Sequence, residues 1–401
     1  MRAYRELFAR REARWPLITA GISRLTPGMI VFAILLLLRD VGYSYAVAGL
    51  VMAAHQVGVG VGSPVQGRLA DRLGQARLLV PDAVLYLAGT VGLAVGAAGG
   101  AATPVLVAVA VLTGLFLPPV TACSRVLLSS LFPTGQIRGT AFAVSSISVE
   151  IGYMVGPLAA GGIAITLGPG WSVIAAGAAS AVGAVGYAAT AEARRILARG
   201  RTRRRSGALG SFAVRVIIAS VGVKTAIFGV IDVVVPAVAE LRGGAPSAGS
   251  WLLAAVSVGG LIGGVVYGAR AWPGTVVDRL RWLLLCFGAG LLVLPLATGS
   301  LTAFALALLV AGLFLPATTI SAFHLLDDLA PGGTQTEAQS WLQTAVVAGM
   351  AIGAGLAGVI VDVAGPQAAL VVGAVSVLLS GALIHTYRHR LTPPAGATAP
   401  W

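Results

Sequence analysis

Charge is what this 401-residue chain has least of: Asp, Glu, Lys and Arg together supply 10% of its residues, where a soluble domain has roughly 25%. So few charges cannot cover a water-facing surface, and a soluble globular protein is excluded. Lysine occurs once, at Lys224, against 26 arginines. Only two cysteines are present, Cys123 and Cys286. Both lie inside apolar runs far apart in sequence, which argues against a disulfide and makes them packing residues. Four scattered histidines and no HExxH pattern leave no metal centre. No Walker-type glycine loop is present, and no cofactor is expected. Aromatic residues are 6% of the chain, so the net charge of +13 lacks the stacking platform that nucleic-acid binding would need.

Hydrophobic residues are abundant, at 57%. Runs long enough to cross a hydrocarbon core as helix recur over the whole length. Twelve are predicted, at roughly 17–38, 46–66, 78–99, 104–127, 139–165, 171–190, 212–237, 250–269, 281–299, 301–324, 338–361 and 367–386. The start, "MRAYRELFARREARWP", is too charged for a signal peptide, so span 1 is expected to stay as helix. Placing both termini in the cytoplasm puts 21 of the 27 basic residues in the tails and even-numbered turns, in keeping with the positive-inside rule. The expected location is the cell's inner (plasma) membrane. The arginine-rich segment between spans 6 and 7 reads as an orienting loop resting on anionic headgroups. Tyr43, Tyr45 and Trp171 read as interfacial anchors.

That basic loop divides the chain into halves that repeat each other. "GLFLPP" at Gly114 returns as "GLFLPA" at Gly312. Gly152 and Gly156 return as Gly349 and Gly353, and Gly58, Gly62 and Gly67 as Gly259, Gly263 and Gly268. The expected organisation is a six-helix bundle over 1–190, a basic linker over 191–211, and a second six-helix bundle over 212–401 with a short tail. Parallel six-span repeats are an architecture of alternating-access transporters. Small residues at four-residue spacing let helices approach closely. They are densest in spans 2, 5, 8 and 11, which are therefore expected to form the surfaces between the halves.

The turn after span 2, "GRLADRLGQARLL", resembles the signature of the major facilitator superfamily. Gly67, Asp71, Arg72, Gly74 and Arg77 match, while Gln75 and Ala76 stand where basic residues are common. The resemblance implies a conformational latch closing the outward-facing state, with Asp71 at the positive end of helix 11. Gly67 and Gly74 are expected to permit a tight turn. The repeat copy keeps Gly268 but no matching Asp, so the latch is one-sided. Span 5 carries "GYMVGPLAAGG", similar to the glycine-proline motif of the family's proton-coupled exporters. Gly152, Gly156, Pro157 and Gly161 match, and Ala160 replaces a glycine. Proline removes a backbone bond and glycine allows close packing, giving a helix that can kink. A third family motif, an arginine followed by Gln-Gly in span 4, is not met, since "RVLLSS" begins at Arg125. The resemblance extends over nearly the whole chain, and the wording of several spans is similar to bacterial efflux permeases. It implies an all-α membrane protein of twelve helices in two pseudo-symmetric bundles.

Ionisable residues at membrane depth cost about 2.5–3.5 kcal/mol each on insertion scales, so they need a reason. Four stand at comparable depth: Arg24 in span 1, His55 in span 2, Glu150 in span 5 and Lys224 in span 7. Arg24 and Lys224 are equivalent positions of the repeat. In the fold the resemblance implies, spans 1 and 7 line one cavity, with a cation from each half facing the substrate and Gln56 close by. Lys224 can equally be a packing partner of a carboxylate. Arg24 can snorkel, pair with Glu150 or meet an anionic substrate. Glu150, taken as the only acid at mid-depth, is the first candidate for proton coupling, with Asp232 and His55 as others. Arg125 and His324 read as charges near the inner ends of spans 4 and 10.

The resulting reading is a secondary active transporter: a proton-coupled exporter of a small amphipathic compound, anionic or zwitterionic, acting as a monomer by alternating access. The alternatives are a proton-coupled importer of a small metabolite and a non-transporting receptor on the same scaffold. A membrane-embedded enzyme would need a nucleophile with its base, or clustered metal ligands, and the sequence offers neither.

Overall fold

The computed structural model describes residues 7–132, 136–195, 208–244, 247, 249–269, 272, 274–330 and 335–391. Within those segments the side chains of Asp71 and Glu150 lie outside the described residues. Every described element is helical. Among the described residues eleven helices are long and apolar enough to cross a membrane: Glu12–Asp40, Tyr45–Gly67, Gln75–Ala98, Thr103–Leu128, Ile147–Thr166, Pro169–Ala189, Phe212–Leu241, Gly249–Tyr267, Val276–Ala297, Leu301–Leu326 and Trp341–Arg390. The first ten are spans 1 to 10. The last is two helices merged across Gly365, whose φ of 83° and ψ of 168° are not helical. A left-handed φ suits glycine, and Pro366 then opens the next helix with a preset φ. Residues 341–364 and 366–390 are therefore spans 11 and 12, and all twelve predicted spans are present.

The turns follow local chemistry. Gly74, at φ 87°, joins span 2 to span 3, and Gly168, at φ 102°, precedes Pro169 at the start of span 6. Ser44, Ser211, Thr275 and Ser300 cap their helices by accepting a backbone N–H three residues on. Each such cap is worth about 1 kcal/mol.

Spans 4 and 10 carry the clearest repeated words and differ in shape. Span 10 is one helix, Leu301–Leu329, with Pro316 inside it. Span 4 is two, Thr103–Leu115 and Val120–Leu131. Pro118 and Pro119 are adjacent here, where span 10 has Pro316 and Ala317. A proline disfavours helical geometry in the residue before it, and two in a row break the ladder. The carbonyl of Leu115, at the end of the first segment, accepts a hydrogen bond from Gln66 Nε2 at 2.7 Å.

The chain forms two compact units, Met1–Thr202 and Arg203–Trp401. Inside each, helices meet through glycine. A Cβ at Gly58 or Gly62 in span 2 would fall on the backbone of Val111 or Leu115 in span 4. At Gly259 or Gly263 in span 8 it would fall on Leu309 or Leu313 in span 10. Span 5 presses Gly152 and Gly156 onto the backbone of Arg24 and Gly28 in span 1. Span 11 presses Gly349 and Gly353 onto Gly222 and Ala226 in span 7. In each half these glycines make backbone contacts between neighbouring helices.

Some expectations change. Gly67 lies inside the helix Tyr45–Leu73 with open space where a Cβ would sit, so Gly74 alone supplies the turn. Cys123 is buried as expected, whereas Cys286 is exposed. Tyr45 is buried beneath Arg39, whose guanidinium carbon lies 4.2 Å from the ring centroid, so it is a packing residue and not an anchor. Trp171 is exposed at the start of span 6.

Candidate functional site

Arg24 sits where the helices Arg11–Ser23 and Leu25–Asp40 join within span 1, and it is 4% exposed. Its guanidinium donates to three hydroxyls: Ser124 at 2.7 Å on span 4, Ser145 at 2.9 Å, and Ser148, the last two on the span 5 helix. Two of these serines donate their own protons to their helix backbone, Ser124 to Thr121 O and Ser148 to Ser145 O. Their oxygens are then left as acceptors, the correct polarity for a cation. The close approach of Gly152 to the Arg24 carbonyl brings the span 5 serines within reach.

The second unit repeats the arrangement with different residues. Lys224 is 2% exposed, and its Nζ donates to Thr319 Oγ1 at 3.0 Å and Thr318 Oγ1 at 3.4 Å, both on span 10. Both threonine hydroxyls donate to Leu315 O. Among the described residues no carboxylate lies within ion-pair distance of Arg24 or Lys224. A hydrogen bond to a charged group contributes roughly 1.5–3 kcal/mol, so two or three offset the insertion cost without an anion. The packing-partner reading of Lys224, as the mate of a carboxylate, finds no such mate among the described residues. The pairing of Arg24 with Glu150 falls on a side chain outside them.

The other predicted residues are not gathered around these cations. His55 is 1% exposed and faces span 3, with Nε2 3.4 Å from Tyr86 Oη and Nδ1 unbonded. Gln56 is half-buried beside it in sequence. Asp232 is half-buried on span 7, two turns beyond Lys224 and about 12 Å along the axis. Arg72 and Arg77 are exposed on either side of Gly74, and the Asp71 side chain is outside the described residues. Pro157 lies inside the span 5 helix, with Gly161 buried one turn on. Arg125 and His324 are exposed.

Sequence reasoning missed the hydroxyls. Their signal was present: "TACS" and "ATTIS" follow the repeated "GLFLP" in both copies, polar groups where a lipid-facing helix has no use for them. It also passed over Asp82, a buried acid near the start of span 3, 4% exposed.

With this geometry in hand, likeness to other proteins is informative. A family profile described as Major Facilitator Superfamily matches residues 17–270 and 216–401. YwtG of Bacillus subtilis (strain 168), named as a metabolite transport protein, is 28% identical over 128 residues. That match spans 32% of this chain and only 27% of the length of YwtG. A solved bacterial homologue of the human lysosomal transporter Spinster, inward-facing and occupied, has a TM-score of 0.73 at 13% identity, covering 93% of this chain and 95% of its own. A mutant of the nucleoside transporter NupG has a TM-score of 0.75 at 9% identity, covering 94% and 99%. A mutant of the peptide transporter POT has a TM-score of 0.70 at 16% identity, covering 94% of each chain. At these identities the solved structures establish the fold. Twelve spans, a six-span repeat and a profile match over nearly the full length make this chain a member of the major facilitator superfamily and a multi-pass membrane transporter of that kind.

Proposed function

We propose that this transporter is a proton-coupled exporter of a small amphipathic anion or zwitterion, working by alternating access. The observation that supports this reading is the pair of buried cations at equivalent repeat positions, each held by acceptor oxygens with no carboxylate neighbour among the described residues. An anionic group arriving at such a cation replaces neutral hydroxyls with a charge-assisted bond, roughly twice as strong. Arg24, Lys224 and Gln56 are assigned to the substrate. Glu150, Asp232 and His55 are assigned to proton coupling, and Gly67, Asp71, Arg72, Gly74 and Arg77 to the latch. The Gly152, Gly156, Pro157 and Gly161 motif, like that of the family's exporters, favours export over import. The protein is placed in the plasma membrane as a monomer, its termini and the 191–211 linker on the cytoplasmic side.

Inverted vesicles with an acidified lumen test this. Anionic, zwitterionic and cationic compounds are added while lumenal pH is followed by fluorescence. Proton release triggered by anionic or zwitterionic compounds, and abolished by Glu150→Gln in an inserted protein, is the expected result. Release that survives Glu150→Gln moves coupling to another acid. Compound-driven uptake of protons in the opposite sense assigns import.

A further inference from the structure

Asp82 is a buried carboxylate that the reading above leaves unused. Its Oδ2 has no hydrogen-bond partner, and the residue is 4% exposed. It stands about 10 Å along the helix from the start of span 3. Tyr86, fully buried, is one turn further on and shares its face. Helical side chains lean toward the N-terminus, which is the direction of the turn that carries Asp82. The Tyr86 hydroxyl in turn meets His55 Nε2 at 3.4 Å, and His55 Nδ1 is buried without a partner.

Span 6 completes the surroundings. It runs antiparallel to span 3: a Cβ at Gly177 would fall on Thr90, and Tyr187 Oη donates to Gln75 Oε1 at 3.1 Å. Ser180 lies between these two contacts, level with Asp82 and Tyr86. It is fully buried, and its Oγ also lacks a partner. Asp82 Oδ2 and Ser180 Oγ are thus buried without partners at matching heights of two packed helices, beside an apolar cluster that includes Leu79, Ala83 and Ala184.

The titratable groups on the elements packed against span 3 are few. Span 2 brings His55 and Arg72, with the side chains of Arg68 and Asp71 outside the described residues; span 3 itself brings Arg77, span 4 brings Cys123, span 6 brings Tyr187, and Arg24 of span 1 is committed to its serines. The short helix Ala191–Arg195 adds Glu192, Arg194 and Arg195 near the end of the span. Among the described residues none forms an ion pair with Asp82. A charge held there without a partner costs several kcal/mol, whereas a carboxylic acid can offer its own O–H as a donor.

We propose that Asp82 is a proton-binding site inside the first unit, distinct from Glu150, with the Tyr86–His55 pair as its polar neighbours. The step is the making and breaking of one carboxyl O–H bond. Proton coupling, on which the site's use in transport rests, belongs to the reading above; the binding itself does not depend on it.

The test is infrared difference spectroscopy of the purified full-length protein in lipid nanodiscs, stepped between acid and alkaline buffer. Aspartate labelled with carbon-13 at the side-chain carboxyl shifts the Asp bands and leaves those of Glu150 in place. A protonated-carboxyl band that moves with the label, persists in Asp82→Glu at the unlabelled glutamate position, and vanishes in Asp82→Asn with the loss of one titrating proton per chain is the expected result. No label-sensitive band at any pH would overturn the proposal, as would a labelled band retained in full by Asp82→Asn. Loss of the band on adding sodium at constant pH would also overturn it, making the carboxylate a metal-cation site. A chain that shows the band yet exports nothing keeps this inference and loses the exporter reading.

Discussion

Arg24 and Lys224 occupy the same position in the two repeats, and each is solvated by hydroxyl oxygens rather than paired with a carboxylate among the described residues. The residues that do the holding differ: serines from two helices for the arginine, two adjacent threonines from one helix for the lysine. A forked guanidinium spans two helices, while a compact ammonium is satisfied by a single turn. What the repeat has kept is a buried positive charge facing acceptors.

Removing the Lys224 ammonium recovers an insertion cost of about 2.5–3.5 kcal/mol and gives up hydrogen bonds of comparable total size. Lys224→Met is therefore expected to leave the thermal midpoint in detergent unchanged or raised, while transport of an anionic substrate falls more than about tenfold, the loss of one ~1.4 kcal/mol interaction or more. Thr319→Val should do the reverse to stability, lowering it by roughly 1.5–3 kcal/mol through the loss of a bond to a charged donor. A Lys224→Met protein that transports normally would remove the substrate role.

Glycines in the seams and glycines outside them should respond oppositely. Gly58→Ala and Gly259→Ala place a methyl on a facing backbone carbonyl, and overpacking of this kind costs typically about 1–3 kcal/mol. Gly67→Ala meets open space inside a helix, where exchanging Gly for Ala stabilises by roughly 0.5–1 kcal/mol. Thermal midpoints of the three variants, measured side by side in one detergent, check the prediction.

Gln66 and the proline pair of span 4 should be coupled. Gln66→Leu leaves the Leu115 carbonyl without its side-chain donor, at a cost of about 1–3 kcal/mol. Pro119→Ala restores the Pro-Ala order of span 10, and with it the possibility of a continuous helix that satisfies this carbonyl internally. A double-mutant cycle is expected to show Gln66→Leu losing most of its effect in the Pro119→Ala background; additive effects would mean that span 4 stays broken.

Gly365 is the junction of spans 11 and 12 at φ 83°. Gly365→Ala forces a Cβ into left-handed geometry, costing roughly 1–2 kcal/mol. Limited proteolysis should show that junction cut faster than in the wild type.

The spans were legible because membrane length is a coarse signal, and the repeat because identical words recur at nearly constant separation. The use of the glycines was not legible. Spacing shows that a helix has a flat face and says nothing about which helix meets it; the partners of Gly152 and Gly58 lie four and two spans away in the same half. The cation cages were half legible. Depth counting found Arg24 and Lys224, but it looked for an opposite charge, and neutral Ser124 and Thr319 do that work. Asp82 was passed over because a single acid near the start of a span reads as an end residue until its burial is seen.

The glycine seams carry a mechanical implication. Where main chain lies directly against main chain, as between Gly152 and Arg24 or Gly349 and Gly222, there are no rotamers to exchange at the contact. Such a joint behaves as a weld. Spans 1 and 5, 2 and 4, 7 and 11, and 8 and 10 are thereby fastened in pairs. Any motion the protein makes must carry each pair as one piece, leaving bending to be taken up where the backbone is already interrupted, at the proline break of span 4 and at the turns.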